Sequence, residues 1–400
     1  MYKNITFIPK KIKQIFILLI ILLSLSPYKS QDSKKILDLN ENDIENKINF
    51  NKFLKDSILN LENIKNPNKK ETEKFNRDTK DLTLKKILKD NGPDLSKFSI
   101  PMAKYFLKIA SFSYCDQDRI IKQTCCSDIF SNDEWKLFDE KTVKYDDYQY
   151  AILISEKFNK ILITFPGTKN LSQLIKELYY SNGVTFIDDE TEKTMEYLKY
   201  VYSIFGKELE ETLEKLFIKF NNYQFIFTGH SLGGNMATIS ALHSVKYGKL
   251  NKSIEPVLIT YGQARTGNDV FANEIMKYIT RVYRVTRRGD IVTTIPPCSW
   301  TQENWGIKCS TILPEGKFDK NLVLNVNQKN ESKKYFYTWH IAGWYSFNDA
   351  MEVYKYCGEF ISENNNDSDC QLHGDYSDIS FTKHRQYFGI SVGDYCQAQG

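Results

Sequence analysis

Ser231 stands in Gly229-His230-Ser231-Leu232-Gly233-Gly234, directly after the apolar run Phe225-Ile226-Phe227-Thr228 and directly before Asn235-Met236-Ala237-Thr238-Ile239-Ser240-Ala241-Leu242. A serine hydroxyl is a weak nucleophile until a base takes its proton and a carboxylate orients that base. The G-x-S-x-G pattern presents such a serine on a strained turn between a strand and a helix, with positions on either side that carry no Cβ. The helix N-terminus behind the turn favours negative charge there. The same pentapeptide could be a plain turn, but the strand-like and helix-like runs around it favour a nucleophile.

Five histidines make the search for a base short. His230 occupies the x position, from which its ring is expected to point away from the serine. His243 lies on the following helix, about three turns on and too far to reach back. His373 sits in a loop between cysteines with no orienting pattern around it. His340 and His384 remain. The acid should leave the C-terminal end of a later strand. Asp290, just past Arg281-Val282-Tyr283-Arg284-Val285-Thr286, has that place. Asp269 opens a helix, where a capping role is the better reading. An oxyanion needs two fixed N–H donors. Leu232 supplies one from the turn itself, and Gly167-Thr168, after the strand Lys160 to Phe165, fits the other. Loss of one such donor costs about 3 kcal/mol in the transition state.

The elements that must hold these residues are visible as periodicity. Met102 to Phe112 has helical spacing. Gln149 to Ser155 and Lys160 to Phe165 form a predicted hairpin with a buried second strand. Leu171, Leu174, Ile175 and Leu178 fall at i, i+3, i+4 and i+7, one apolar face of a helix over Asn170 to Tyr180. That face suits either a cover over the site or an ordinary surface helix packed on the core. Glu190 to Asn221 reads as a long amphipathic helix and Tyr223 to Thr228 as the strand entering the serine turn. Pro256 to Gly262 is a strand, Asn268 to Ile279 a helix, and Arg281 to Thr286 a strand. Strands alternating with helices around buried apolar runs imply an α/β sheet, largely parallel in this half. From Cys298 onward, aromatic-rich strands alternate with polar loops.

Composition bounds the rest. Fifty-four Lys and Arg against 50 Asp and Glu give a net charge of +4, which makes no case for a nucleic-acid partner. Lys3, Lys10, Lys11 and Lys13 precede the apolar stretch Ile15 to Leu25, the pattern of a signal peptide over residues 1–30, with an uncleaved anchor as the alternative. Residues 31–100 are rich in Lys, Glu, Asp and Asn and read as a helical or partly disordered extension, either a pro-segment or a solvated appendage. Residues 101–400 then form the main domain. Eight cysteines in a chain with an export signal favour disulfides, and the absence of any CxxC pair speaks against zinc. Cys298 with Cys309 would close a small loop, and Cys357 with Cys370 would pin the ends of the Asn364–Asp369 loop. Cys125 and Cys126 are adjacent, and because a vicinal bridge is strained, either is open to another partner. Sequons at Asn170, Asn251, Asn330 and Asn366 would be usable in a secretory route. Secretion, or the lumen of the secretory or endolysosomal pathway, is the expected location.

Five ordered segments together resemble the class 3 (fungal-type) lipase family, covering about Met102 to Cys396. They are Phe165-Pro166-Gly167-Thr168, the serine turn, Tyr261-Gly262-Gln263-Ala264-Arg265-Thr266-Gly267-Asn268, Gly289-Asp290-Ile291-Val292 through Pro296-Pro297, and His384-Arg385-Gln386-Tyr387-Phe388-Gly389. The resemblance implies an α/β-hydrolase (lipase-like) fold with a mostly parallel central sheet. It implies Ser231 as nucleophile, Asp290 as acid, His384 rather than His340 as base, and Thr168 with Leu232 as oxyanion donors. It further implies a mobile lid over Asn170 to Tyr180 and a disulfide from Cys115 to Cys396. The chain departs from the family pattern at Ala264, where proline is usual, and in the length of Cys298 to Phe336. The expected activity is hydrolysis of acylglycerol esters at an oil–water or membrane interface, without metal, organic cofactor or obligate protein partner. The alternatives are a phospholipase A1 or other carboxylester hydrolase, and a lipase-like binding protein without chemistry.

Overall fold

The computed structural model describes residues 94–130, 134–138, 149–168, 174, 183–187, 189–248, 250, 255–295, 341, 343–357 and 381–396. The predicted signal segment, the chain up to residue 93, the four sequon asparagines, His340, His373, Cys298, Cys309 and Cys370 lie outside the described residues. So do Leu171, Ile175 and Leu178 of the predicted lid.

The strands are β1 (Lys136–Leu137), β2 (Ala151–Ser155), β3 (Lys160–Phe165), β4 (Gly183–Thr185), β5 (Lys193–Met195), β6 (Gln224–His230), β7 (Val257–Tyr261), β8 (Arg281–Arg287), β9 (Trp344–Phe347), β10 (Tyr354–Tyr356), β11 (Gln386–Tyr387) and β12 (Ile390–Ser391). Eight of them form one sheet in the order β1-β2-β3-β6-β7-β8-β9-β10. Its five central strands, β3, β6, β7, β8 and β9, pair in parallel. The flanking β1/β2, β2/β3 and β9/β10 pairs are antiparallel. The predicted hairpin is therefore present, with Ala151 opposite Thr164 and Ser155 opposite Lys160. Strands β2, β3, β6 and β7 are buried nearly throughout, because helices cover both faces of a parallel sheet.

Helix α1 (Ile100–Phe112) starts where the Ser99 hydroxyl accepts the Met102 N–H, with Pro101 in its first turn. It is buried along most of its length and lies on the sheet, where its Ala103 carbonyl accepts the Tyr261 hydroxyl at 2.6 Å. Two short helices follow, α2 (Gln117–Ile121) and α3 (Ser127–Phe130). Helix α4 (Glu196–Lys219) buries Leu198, Val201, Tyr202, Phe205, Leu209, Leu213 and Leu216, a stripe at helical spacing. Helix α5 (Leu232–Lys246) runs on from Ser231 and packs against β3, β6, β7 and α4. Helices α6 (Asp269–Tyr278) and α7 (Phe381–Arg385) complete the set, and no helix among the described residues is long and apolar enough to cross a membrane.

Three expectations need correction. The long helix begins at Glu196 and not at Glu190, because Lys193–Met195 pairs with β4 and is held to the loop after β7. The Thr194 hydroxyl donates to the Thr266 carbonyl, and the Lys193 N–H donates to the Asn268 side chain at 3.0 Å. The cap of α6 is Asn268, whose side chain accepts the Phe271 N–H, and Asp269 is only the first helical residue.

The third concerns the disulfides. Cys115 is bonded to Cys125, and Cys396 to Cys126. The Cys115, Cys125 and Cys396 sulfurs lie within 4.8 Å of one another, so Cys115 and Cys396 do come together in space. The turn after α2 brings Cys125 and Cys126 to the same place and takes both partners. Cys126 has φ 55°, and the two neighbours bond to different partners instead of each other. Cys357 is also disulfide-bonded.

Peptide mapping of the unreduced protein is expected to recover Cys115 linked to Cys125 and Cys126 linked to Cys396. Recovery of a Cys115–Cys396 peptide would contradict this pairing. Because the second bridge closes a separation of 270 residues, replacing it with a Cys126→Ser, Cys396→Ser pair should cost about 2–5 kcal/mol of stability.

Candidate active site

Strand β6 delivers Ser231 to the C-terminal edge of the sheet, where the chain reverses into α5. The serine has φ 61° and ψ −128°, a region that residues with a Cβ rarely enter. The strain sits on Ser231 itself. The glycines beside it serve a different need, close approach. A Cβ on Gly229 would overlap the Gly233 backbone, and one on Gly233 would overlap the Phe165 carbonyl of β3. The crossing of β6 into α5 is thus tight enough to exclude any side chain at these two positions.

Asp290 follows β8 and is completely buried. Its carboxylate accepts from His384 Nδ1 at 2.9 Å, from the Val292 N–H at 2.9 Å and from the Tyr387 hydroxyl at 2.5 Å. The Val292 bond also caps the 3-10 turn Ile291–Thr294, so the acid closes a turn as well as holding a ring. Tyr387 is two positions beyond α7 and 0% exposed; burial and the Asp290 charge push its phenol well up, so it stays a donor. Arg284 is buried behind this group, donates to the Gln263 carbonyl at 3.0 Å and stacks over the Trp344 ring. Burial pulls its guanidinium down to about 9, against the pull of Tyr387 and Asp290.

With Nδ1 committed to Asp290, His384 has Nε2 left, and that atom has no hydrogen-bond partner. The Ser231 hydroxyl is likewise buried and unpartnered. His384 is near the serine turn, since its ring centroid is 4.5 Å from that of His230, the residue before Ser231. On the other side of the serine, a Cβ on Gly167 would come 2.9 Å from the Ser231 Cβ, which places the Gly167-Thr168 turn directly against it. Leu232 opens α5 on the far side.

The structure thus brings Ser231, Leu232, the Gly167-Thr168 turn, Asp290 and His384 to one end of the sheet. Leu174, the described residue of the predicted lid, is helical and 1% exposed. His243 is elsewhere, on the side of α5 that meets α4, 3.2 Å from Glu210. Two residues at the centre were not selected from sequence. Tyr387 enters the sequence reading only as part of a motif, and His230 only as a residue expected to point away from the serine. The His230 ring is buried between Tyr114 and His384. No spacing rule could have found a bond between residues 116 positions apart. The three described sulfurs that could hold a metal are all in disulfides.

A serine on a strained strand-to-helix turn, with a histidine hydrogen-bonded to a buried aspartate at the same end of the sheet, is the arrangement expected of serine hydrolases with an α/β-hydrolase fold. Comparison with known proteins narrows the class. Residues 162–300 match the family model described as lipase (class 3). A Caenorhabditis elegans lipase is 24% identical over 333 residues, 78% of this chain and 86% of that protein. A secreted mono- and diacylglycerol lipase of Fusarium solani is 43% identical over 76 residues, 19% of this chain and 21% of that protein. The crystal structure of a lipase from Rhizopus microsporus var. chinensis superposes with TM-score 0.55 at 19% identity, covering 75% of this chain and 91% of that one. Over residues 162–300 the chain is thus similar to the class 3 lipases, and the protein is a serine ester hydrolase.

The close approach at the turn is testable. Gly229→Ala should destabilise the protein by about 1–3 kcal/mol as the overlap forces a backbone shift. An unchanged melting temperature would contradict the contact.

Proposed function

We propose that this protein is a secreted lipase that cleaves acylglycerol esters through Ser231, His384 and Asp290. The observation that carries the reading is the pair of unsatisfied buried atoms, Ser231 Oγ and His384 Nε2, behind which Nδ1 is tied to Asp290. In two-step acyl transfer, His384 Nε2 takes the serine proton as Oγ attacks the ester carbonyl. The Leu232 and Thr168 N–H groups hold the oxyanion. The imidazolium then protonates the departing glycerol oxygen, leaving an acyl-serine. Water attacks that ester in turn, giving its proton to His384, and the fatty acid leaves as Ser231 recovers its hydroxyl. Asp290 stabilises the imidazolium and stays ionised throughout.

An acylglycerol substrate is supported by the family and by the mono- and diacylglycerol lipase relative. The apolar positions Leu171, Leu174, Ile175 and Leu178 after the oxyanion turn support a lid that opens at an interface. The basic and apolar N-terminus and the secreted relative support export.

Purified protein assayed side by side on triacylglycerol, phosphatidylcholine and a short soluble ester is expected to favour triacylglycerol. Preference for phosphatidylcholine would instead assign a phospholipase. Ser231→Ala should abolish turnover on all three, and Asp290→Asn should lower kcat by about 10⁴-fold with little change in KM. Full activity of the serine variant would refute the assignment. The rate should also jump as substrate passes its solubility limit, and a smooth saturation curve would count against the lid.

A further inference from the structure

His230 lies beside the proposed nucleophile but faces away from it, and every polar atom of its ring is used. Its Nε2 is 2.7 Å from the His384 main-chain oxygen. A carbonyl can only accept, so Nε2 carries the hydrogen. Nδ1 is therefore a bare acceptor, and it lies 2.7 Å from the Tyr114 hydroxyl, which must donate. The tautomer is fixed by these two partners. The Tyr114 oxygen also lies directly against the Gly167 backbone. Gly167 needs its missing Cβ for this contact, since a side chain would overlap the Tyr114 oxygen.

One line of contacts therefore runs from the Gly167-Thr168 turn, packed against the Tyr114 hydroxyl, through the hydrogen bonds of Tyr114 and His230 to the backbone of His384. Its ends are the two parts of the site that come from different regions of the chain, the oxyanion turn after β3 and the base on α7. Both side chains of this line are buried. His230 is 2% exposed and Tyr114 is 7% exposed. Burial and the neighbouring His384 hold the His230 imidazole well below its ordinary range, so it stays neutral and keeps this tautomer while His384 gains and loses its proton. Burial also pushes the Tyr114 phenol up, which keeps its hydrogen in place. Tyr114 in turn sits between the end of α1 and Cys115, whose disulfide region also holds Cys396.

We propose that Tyr114 and His230 are positioning residues that set the His384 base and the Gly167-Thr168 oxyanion turn at a fixed distance from each other. The proposal rests on the triad reading above. Neither residue touches the ester. They act through the backbone at each end, where Asp290 controls only the His384 ring. A base and an oxyanion hole that drift apart lose alignment with one tetrahedral intermediate, and a displacement of about 1 Å can cost about 100-fold in rate.

The test uses the full chain, a short soluble ester and a fluorophosphonate probe that reacts with an activated serine. His230→Leu should lower kcat and the labelling rate about 100-fold with KM unchanged. Tyr114→Phe, which removes one hydroxyl and so preserves the fold, should lower both about 10-fold. His230→Gln, which can still accept at one end and donate at the other, should recover much of the loss seen with His230→Leu. Tyr105→Phe is the matched control. It removes a buried hydroxyl from α1 that bonds to Trp135, away from the site, and should leave kcat unchanged even where it lowers the melting temperature. Wild-type kcat and labelling in both Tyr114→Phe and His230→Leu would overturn the proposal while leaving the triad intact. Equal losses in Tyr105→Phe and Tyr114→Phe would overturn it in favour of general destabilisation. A wild-type protein that the probe does not label at Ser231 would instead refute the triad reading beneath it.

Discussion

A fully buried carboxylate is the constraint around which this fold is arranged. Removing Asp290 from water without partners would cost on the order of several kcal/mol, so its oxygens must be met by fixed donors. They come from three places: the Val292 N–H of its own turn, the Tyr387 hydroxyl and His384 Nδ1. Two of these belong to the C-terminal segment 381–396, which must therefore fold back across the ends of β7 and β8. The disulfide from Cys126 to Cys396 and the Arg287 bond to the Gln386 carbonyl at 2.7 Å hold that segment down. Burial of Asp290 thus dictates where His384 must be.

The second element of the site is rigid for an independent reason. Strand β6, buried and paired in parallel on both sides, runs into α5 with so little room that Gly229 and Gly233 meet backbone to backbone. The outcome is a serine with a strained main chain at the N-terminus of the helix. The hairpin β4–β5, held to the loop after β7, and the salt bridges from Lys246 to Glu192 and Glu274 brace the far end of the same helix. His384 and the Ser231 turn are each locked by their own packing, and His230, the residue before Ser231, bonds to the His384 backbone and to Tyr114.

How much of this could be read from sequence follows the range of the interactions involved. The strand and helix around Ser231 are local, and the apolar runs of β3, β6, β7 and β8 gave their positions to within a residue or two. Asp290 was legible because strand ends in open α/β sheets are where acids gather, and His384 because a short motif surrounds it. Tyr114 and His230 were not legible, since their meaning lies in bonds that span 116 and 154 residues. The start of α4 differs from its helical periodicity for a related reason. Lys193 and Thr194 are compatible with helix, and only the tertiary bonds to Asn268 and Thr266 make them a strand. The disulfide pattern failed at the adjacent pair Cys125 and Cys126, where proximity of Cys115 and Cys396 was right and the bonding partners were not.

The account stands on Ser231 and His384 acting as one unit although they come from distant parts of the chain. The direct measurement is kcat on a soluble ester for Ser231→Ala, His384→Ala and the double variant. Groups that act together lose their contribution once, so the double variant should be no slower than either single one, with the same residual rate over water. Losses that multiply in the double variant would mean that the two side chains contribute separately, and would contradict the shared catalytic centre.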